Sequence, residues 1–233
     1  MKMMMRKKWS VAFVGLFFLC ALAAFPQSSF LKAGQYGLGL TGAYATNSAA
    51  HGLSGVASVG LAGIFDLSFS AGHVTYSDAG EFTSLAATSL TPQLTAHVLK
   101  QNSSKSPVSV SVTVGYARDN FSSPDLDLID FKMWANTLMI GGTVYRDVRL
   151  SGAAYLQPYA GIAYSSTRLK LSDPSGYAVS GEDSMASFAA GVPVVYGLSP
   201  KALLVVQPGL TFDLEKGGNT TFAISAGLVY ILK

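Results

Sequence analysis

Three histidines, one cysteine and a run of closely spaced aspartates are the side chains here best suited to chemistry. His73 and Thr75 stand two residues apart and share one face of an extended segment, and an imidazole beside a hydroxyl is the core of a hydrolytic pair. The residues around them carry no hydrolase motif, and no Asp-x-His pattern accompanies His51 and Asp78, which the segment order brings near one another. His97 falls on an inward face, where it is expected to hydrogen-bond. Asp125, Asp127 and Asp130 would attract a divalent cation, yet they lack the glycine and the closing glutamate of a calcium-binding loop and read as a solvated loop. No phosphate-binding glycine loop, Ser-His-Asp order or His-rich metal spacing occurs. No catalytic residue, metal ligand or cofactor is therefore assigned, and the chain is expected not to be an enzyme.

The elements that would carry these side chains are extended. The last stretch, Thr220 to Lys233, puts Phe222, Ile224, Ala226, Leu228, Tyr230 and Leu232 on one face and Thr221, Ala223, Ser225, Gly227 and Val229 on the other. A strand half-buried in a soluble domain would carry charges on its second face. Here that face is small and uncharged, which points to lipid outside and a confined, weakly polar lumen inside.

Ser225, Gly227, Tyr230 and Leu232 follow a polar, spacer, glycine, two spacers, aromatic, spacer, hydrophobic order. This order resembles the closing strand of bacterial outer-membrane β-barrel proteins, departing from it in ending on Lys233, where most members end on an aromatic residue. The architecture is similar to the broad group of small barrels that includes the OmpA membrane domain and OmpW. The resemblance implies an outer-membrane location, with outer-membrane lipid and the β-barrel assembly machinery as partners, the latter reading those four residues.

Lys2, Arg6, Lys7 and Lys8 precede an apolar run from Trp9 to Ala24 that closes on small residues, as in a cleaved secretory signal peptide, and the run is short for a spanning helix. Residues 1–24 are expected to be removed, with Cys20, and residues 25–34 to form a short periplasmic leader before a barrel over 35–233. Without those four cations the chain is close to neutral, so nothing suggests a nucleic-acid surface. The composition is 49% hydrophobic and only 12% charged, too few charges to coat a soluble domain of this size.

Alternation from Gln35 onward predicts about ten antiparallel strands in an up-and-down transmembrane barrel. The cleanest is Val108 to Ala117, and the return after Ser77–Glu81 runs to Lys100. Long polar loops are expected at Arg118–Phe131 and Lys170–Ser184, and a turn at Asp147–Gly152. Pro92, Pro158, Pro193 and Pro208 fall within these strands, where a missing backbone donor must be absorbed by bulges or strand starts; if they broke strands, the count would be eight. Trp134 and several tyrosines suit interfacial anchors.

A barrel this small leaves little interior beyond side chains. Gln35, Gln157, Tyr159 and Gln207 are the larger candidates for lining it, and a thin wet channel is weighed equally with a filled barrel. Function is expected to be structural support of the envelope or narrow passive passage of small solutes. The alternatives are surface binding through the two long loops, and a rim enzyme on lipid or peptide.

Overall fold

The computed structural model describes residues 27–77, 84–102, 106–215 and 218–232. Thirteen strand segments form one antiparallel sheet: β1 Gly37–Thr46, β2 Ala50–Leu61, β3 Phe65–Tyr76, β4 Leu85–Leu99, β5 Ser109–Ser122, β6 Lys132–Tyr145, β7 Val148–Ser151, β8 Ala154–Leu156, β9 Tyr159–Ser172, β10 Ala178–Gly191, β11 Val194–Ser199, β12 Ala202–Asp213 and β13 Thr220–Ile231. β1 pairs with β13, Gly37 opposite Ile231, and β10 pairs with both β9 and β12, so the sheet closes. The wall has ten staves, because β6 with β7, β8 with β9, and β10 with β11 are each one stave bent partway along. The expectation of ten strands holds over the alternative of eight. The start of β1 and the end of β13 lie together at what is called here the terminal end, opposite the loop end.

The alternation read from the sequence is the alternation of the wall. Leu38, Leu40 and Tyr44 on β1, Leu67 and Phe69 on β3, Leu138 and Ile140 on β6, and Leu228 and Tyr230 on β13 all face outward and are exposed. Their neighbours in sequence face inward, among them Ser70, Thr95, Ser111, Thr137, Thr167 and Ser225, all buried. A continuous apolar outside around a polar inside reverses the soluble pattern and is stable only with hydrocarbon around it. No edge remains in the body of the wall, so its backbone polar groups are satisfied strand to strand.

Prolines sit where the ladder changes hands. Pro158 and Pro193 immediately precede β9 and β11, at two of the three bends, and Pro208 lies between the part of β12 that pairs with β11 and the part that pairs with β10. Pro92 pairs with Phe69 on one side, while on the other the ladder with β5 omits it, running from Leu90↔Arg118 to Gln93↔Gly115. A missing N–H is harmless at each place.

Three expected loops are shorter than read. Arg118–Ser122 continues β5, and only Ser123–Phe131 connects it to β6, with a one-turn helix α1 at Pro124–Leu128 whose N-cap, Ser123, accepts the Asp125 N–H. Lys170–Ser184 is mostly β9 and β10, meeting at a turn over 173–177, and β7 occupies most of Asp147–Gly152. Polar composition suggested loops, but a strand that rises past the lipid meets water on its outer face and needs no apolar residues there. The β2–β3 hairpin turns over the three residues Ala62, Gly63 and Ile64, with the Ile64 N–H donating to the Leu61 carbonyl and both central residues of that tight turn, Ala62 and Gly63, at positive φ (53° and 63°). The expected signal segment, Asp78 and Lys233 lie outside the described residues.

Candidate functional site: a lumen closed at both ends

The terminal mouth is filled by residues 28–31, which precede β1. Residues 27–29 form a single 3-10 turn, and Ser28, Ser29, Phe30 and Leu31 are buried inside the ring of strands. Part of the leader expected at 25–34 is thus packed into the mouth. Asp66, at the start of β3, accepts the Ser28 N–H at 2.7 Å with Oδ1 and bonds His97 Nε2 at 2.9 Å with Oδ2. His97 Nδ1 lies 2.7 Å from the Tyr145 hydroxyl. With Nε2–H donated to the carboxylate, Nδ1 of a neutral imidazole accepts the phenol proton. Lys100 donates to the carbonyls of Ser28 and Leu31, and Gln157 Nε2 donates to the Ser29 carbonyl and to Asp147 Oδ1. Burial pushes the Lys100 ammonium down to about 8, and the carboxylates of Asp66 and Asp147 pull it partly back.

Asp66, His97 and Tyr145 have the order of a proton relay, but they are only 1%, 5% and 3% exposed and face the plug. Their hydrogen bonds tie the Ser28 N–H to β3, β4 and β6. His97 was read as an inward hydrogen bonder and is one. The phase of Asp66 with Ser68 and Ser70, opposite to Leu67 and Phe69, was the available signal that it points inward.

Above the plug the interior is polar and packed. Thr95 and Thr113 meet at 2.8 Å, Thr137 and Thr167 at 2.7 Å, and Gln207 Nε2 donates to the Tyr159 hydroxyl at 3.3 Å. A cavity of about 10 Å³, lined by Phe30, Thr41, Gln207 and Ser225 among others, has room for about one water. Of the lining candidates, Gln157, Tyr159 and Gln207 are buried within the barrel and hydrogen-bonded across it. Gln35 is not with them: it precedes β1, and its Oε1 accepts the Lys32 N–H to close a turn of the leader. Ser225 and Gly227 lie on the inner face of β13, whereas Tyr230 and Leu232 point outward.

Toward the loop end the interior becomes apolar. Tyr76, Leu85, Ala87, Met133 and Leu126 of α1 form a buried cluster, with Phe121, Phe131, Leu169 and Leu171 packed against it. Sequence reading missed this cap, because its members come from β3, β4, β5, α1, β6 and β9 and only closure brings them together. His51 and His73 lie outside the lumen altogether, on the outward face of β2 and β3, where His51 opposes Thr75 across the ladder. Among the described residues no group of three or more metal-ligating side chains is present.

A closed antiparallel wall, apolar outside and polar inside, with both termini of the wall at one end, decides the class of fold. The fold is that of a small outer-membrane β-barrel. Its terminal end is then the periplasmic one and its loop end faces the cell exterior. No protein-family model and no curated protein matches the sequence. Solved structures do. The translocator domain of the autotransporter NalP from Neisseria meningitidis aligns over 92% of this chain and 93% of its own length, with a TM-score of 0.57 and 11% identity. The beta domain of the Bordetella autotransporter BrkA gives 0.47 and 13% over 85% and 99%, and the outer-membrane protease OmpT from Escherichia coli gives 0.42 and 13% over 85% and 95%. At such identities the likeness is one of fold.

Proposed function

We propose that this outer-membrane barrel is non-enzymatic and non-conducting at rest, serving as a structural element of the envelope. The observation that supports this is the double closure of the lumen: a plug of the chain's own residues 28–31 at the periplasmic mouth, its serines hydrogen-bonded and Phe30 and Leu31 packed on Val195, Val205 and Val229, and an apolar cap around Leu126 toward the exterior. A passive channel needs a continuous polar path, whereas the cavity beside Phe30, Gln207 and Ser225 holds about one water. The test is entry of graded neutral sugars into liposomes carrying the refolded chain, with folding checked by heat-dependent gel mobility. Sugar entry no faster than in empty liposomes is expected. Size-limited entry through folded protein would replace the structural reading with a channel.

One feature supports surface binding as a second reading. β10 rises beyond its other neighbour β12, and from Ala178 to Met185 it pairs only with β9 among the described residues, while β9 stays paired with β6 as far as Ser172. Such an edge offers backbone donors and acceptors to an added strand. Removing the hairpin tip, residues 173–183, is expected to spare barrel assembly and abolish attachment of cells expressing the protein to host or bacterial surfaces. Unchanged attachment would remove this reading.

A further inference from the structure

Cations are distributed unevenly over the outside. Among the described residues, Lys32, Lys100, Arg146, Arg149 and Lys201 lie toward the periplasmic end, and every other lysine or arginine lies on one wall near the exterior: Arg118, Lys132, Arg168 and Lys170. These four occupy adjacent strands β5, β6 and β9 on the outward face, and Trp134 stands at their centre. Trp134 is directly opposite Lys170, and Asn136, the next residue on its face, is opposite both Arg118 and Arg168. Lys132 is the preceding residue on that face. Each cation is thus an immediate neighbour of the indole on the sheet grid, where diagonal neighbours lie about 7–8 Å apart.

Height follows from the same register. Tyr116 and Leu138 form the last outward row that is apolar on β5 and β6, and the row with Arg118, Asn136 and Arg168 comes next, about 7 Å further out. The cations therefore begin where hydrocarbon ends, at the level of the headgroups, with a tryptophan among them as in interfacial belts. The wall is also partly prepared for a ligand. The Arg118 guanidinium lies over the Trp134 ring at 5.2 Å and donates to Asn136 Oδ1 at 3.0 Å, which fixes its orientation. Arg168 is engaged with Glu182, its Nε donating to Oε1 at 2.7 Å, and marks one border. Among the described residues Lys132 and Lys170 are in no ion pair; the acids nearest this wall are Asp119, on the inner face beside Arg118, Asp173, just past the Ser172 that faces Lys132, and Asp125, Asp127 and Asp130 in the connection above.

We propose that Arg118, Lys132 and Lys170, grouped around Trp134, form a lateral binding site for the phosphate groups of an outer-leaflet glycolipid. Three cations at headgroup height, none in a surface ion pair among the described residues, on one side of an otherwise near-neutral barrel call for a ligand with more than one negative charge. Arg118 presents a fixed fork suited to a phosphate, the two lysines supply mobile point charges on either side, and the indole covers the sugar or upper acyl region. Partial exclusion of water at the interface strengthens each contact relative to the same charges in bulk solvent. The inference rests on the barrel standing in the outer membrane and not on whether it conducts.

The test uses the refolded full chain in a neutral detergent, with native mass spectrometry of its complexes with diphosphorylated lipid A, with the same lipid freed of phosphate, and with phosphatidylglycerol. Retention of diphosphorylated lipid A is expected, falling at least tenfold in Lys132→Gln/Lys170→Gln and in Arg118→Gln. A paired control, Arg149→Gln/Lys201→Gln, removes the same charge at the periplasmic end and is expected to leave retention unchanged. These are surface positions, and heat-dependent mobility verifies that each variant is folded. An equal loss in the control, or equal binding of the phosphate-free lipid, would overturn the site. Equal binding of phosphatidylglycerol would overturn its assignment to a glycolipid.

Discussion

Asp66 is the residue on which the docking of the plug turns. Its two oxygens satisfy a backbone N–H of the plug and a ring nitrogen of His97, and the side chain is almost wholly buried. Replacing it with alanine leaves both donors without their acceptor, and a buried unsatisfied polar group costs about 1–3 kcal/mol. Small shifts that let water reach the mouth recover part of that, so about 3 kcal/mol is the expected loss, or on the order of a hundredfold in the docking equilibrium. The wall ladders do not pass through the Asp66 side chain, so the loss should fall on the plug and spare the barrel. Lys32 is exposed just after the buried Leu31, and trypsin can cut there only when the neighbouring residues leave the mouth. The rate of that cut then reports the undocked population. Asp66→Ala is expected to raise it ten- to a hundredfold with heat-dependent mobility retained, and Asp66→Asn, which keeps one acceptor, to fall between. An unchanged rate would refute the latch, and loss of the folded gel form would show instead that Asp66 supports the whole barrel.

Other outcomes follow from the same structure. Lys100 titrates near 8 when docked and near 10.5 when free, so between these values the undocked state binds more protons and docking strengthens as pH rises; below about 8 the penalty is constant. Cleavage at Lys32 should therefore slow from pH 8 to 10 relative to an unfolded peptide control, and Lys100→Gln should remove the slope. Gly227 packs so closely on Leu40 and Thr41 of β1 that a Cβ would force the strands apart, and Gly227→Ala should lower urea stability by about 1–3 kcal/mol, while Gly42→Ala, in open space, should not. Leu40 is 68% exposed on the lipid face, and Leu40→Arg should cost about 2–4 kcal/mol in lipid vesicles.

Much of this architecture was legible without coordinates. Alternation alone set which residues face lipid, because a strand has only two faces and hydrocarbon tolerates one kind of side chain. Strand number and the even closure followed from the same pattern, and the prolines were correctly expected at strand starts or irregular points rather than as breaks that reduce the count. The extent of strands beyond the lipid was not legible, because Arg118–Ser122 and Lys170–Ser184 meet water whether they are loops or ladders, and only pairing with neighbouring strands tells which. The contents of the lumen depended on tertiary structure still more. Gln157 and Gln207 were placed inside by phase, but Asp66, His97, Tyr145, Lys100 and Ser28 come from separate segments with no local signature linking them. The cationic wall is of the same kind: Arg118, Lys132 and Lys170 are ordinary surface residues in sequence and neighbours of Trp134 only through the register of β5, β6 and β9. Local pattern determines a side chain's face, because the backbone period is a property of one segment. Partners across a closed wall are set by which strands pair and with what offset, and that is decided by the whole barrel at once.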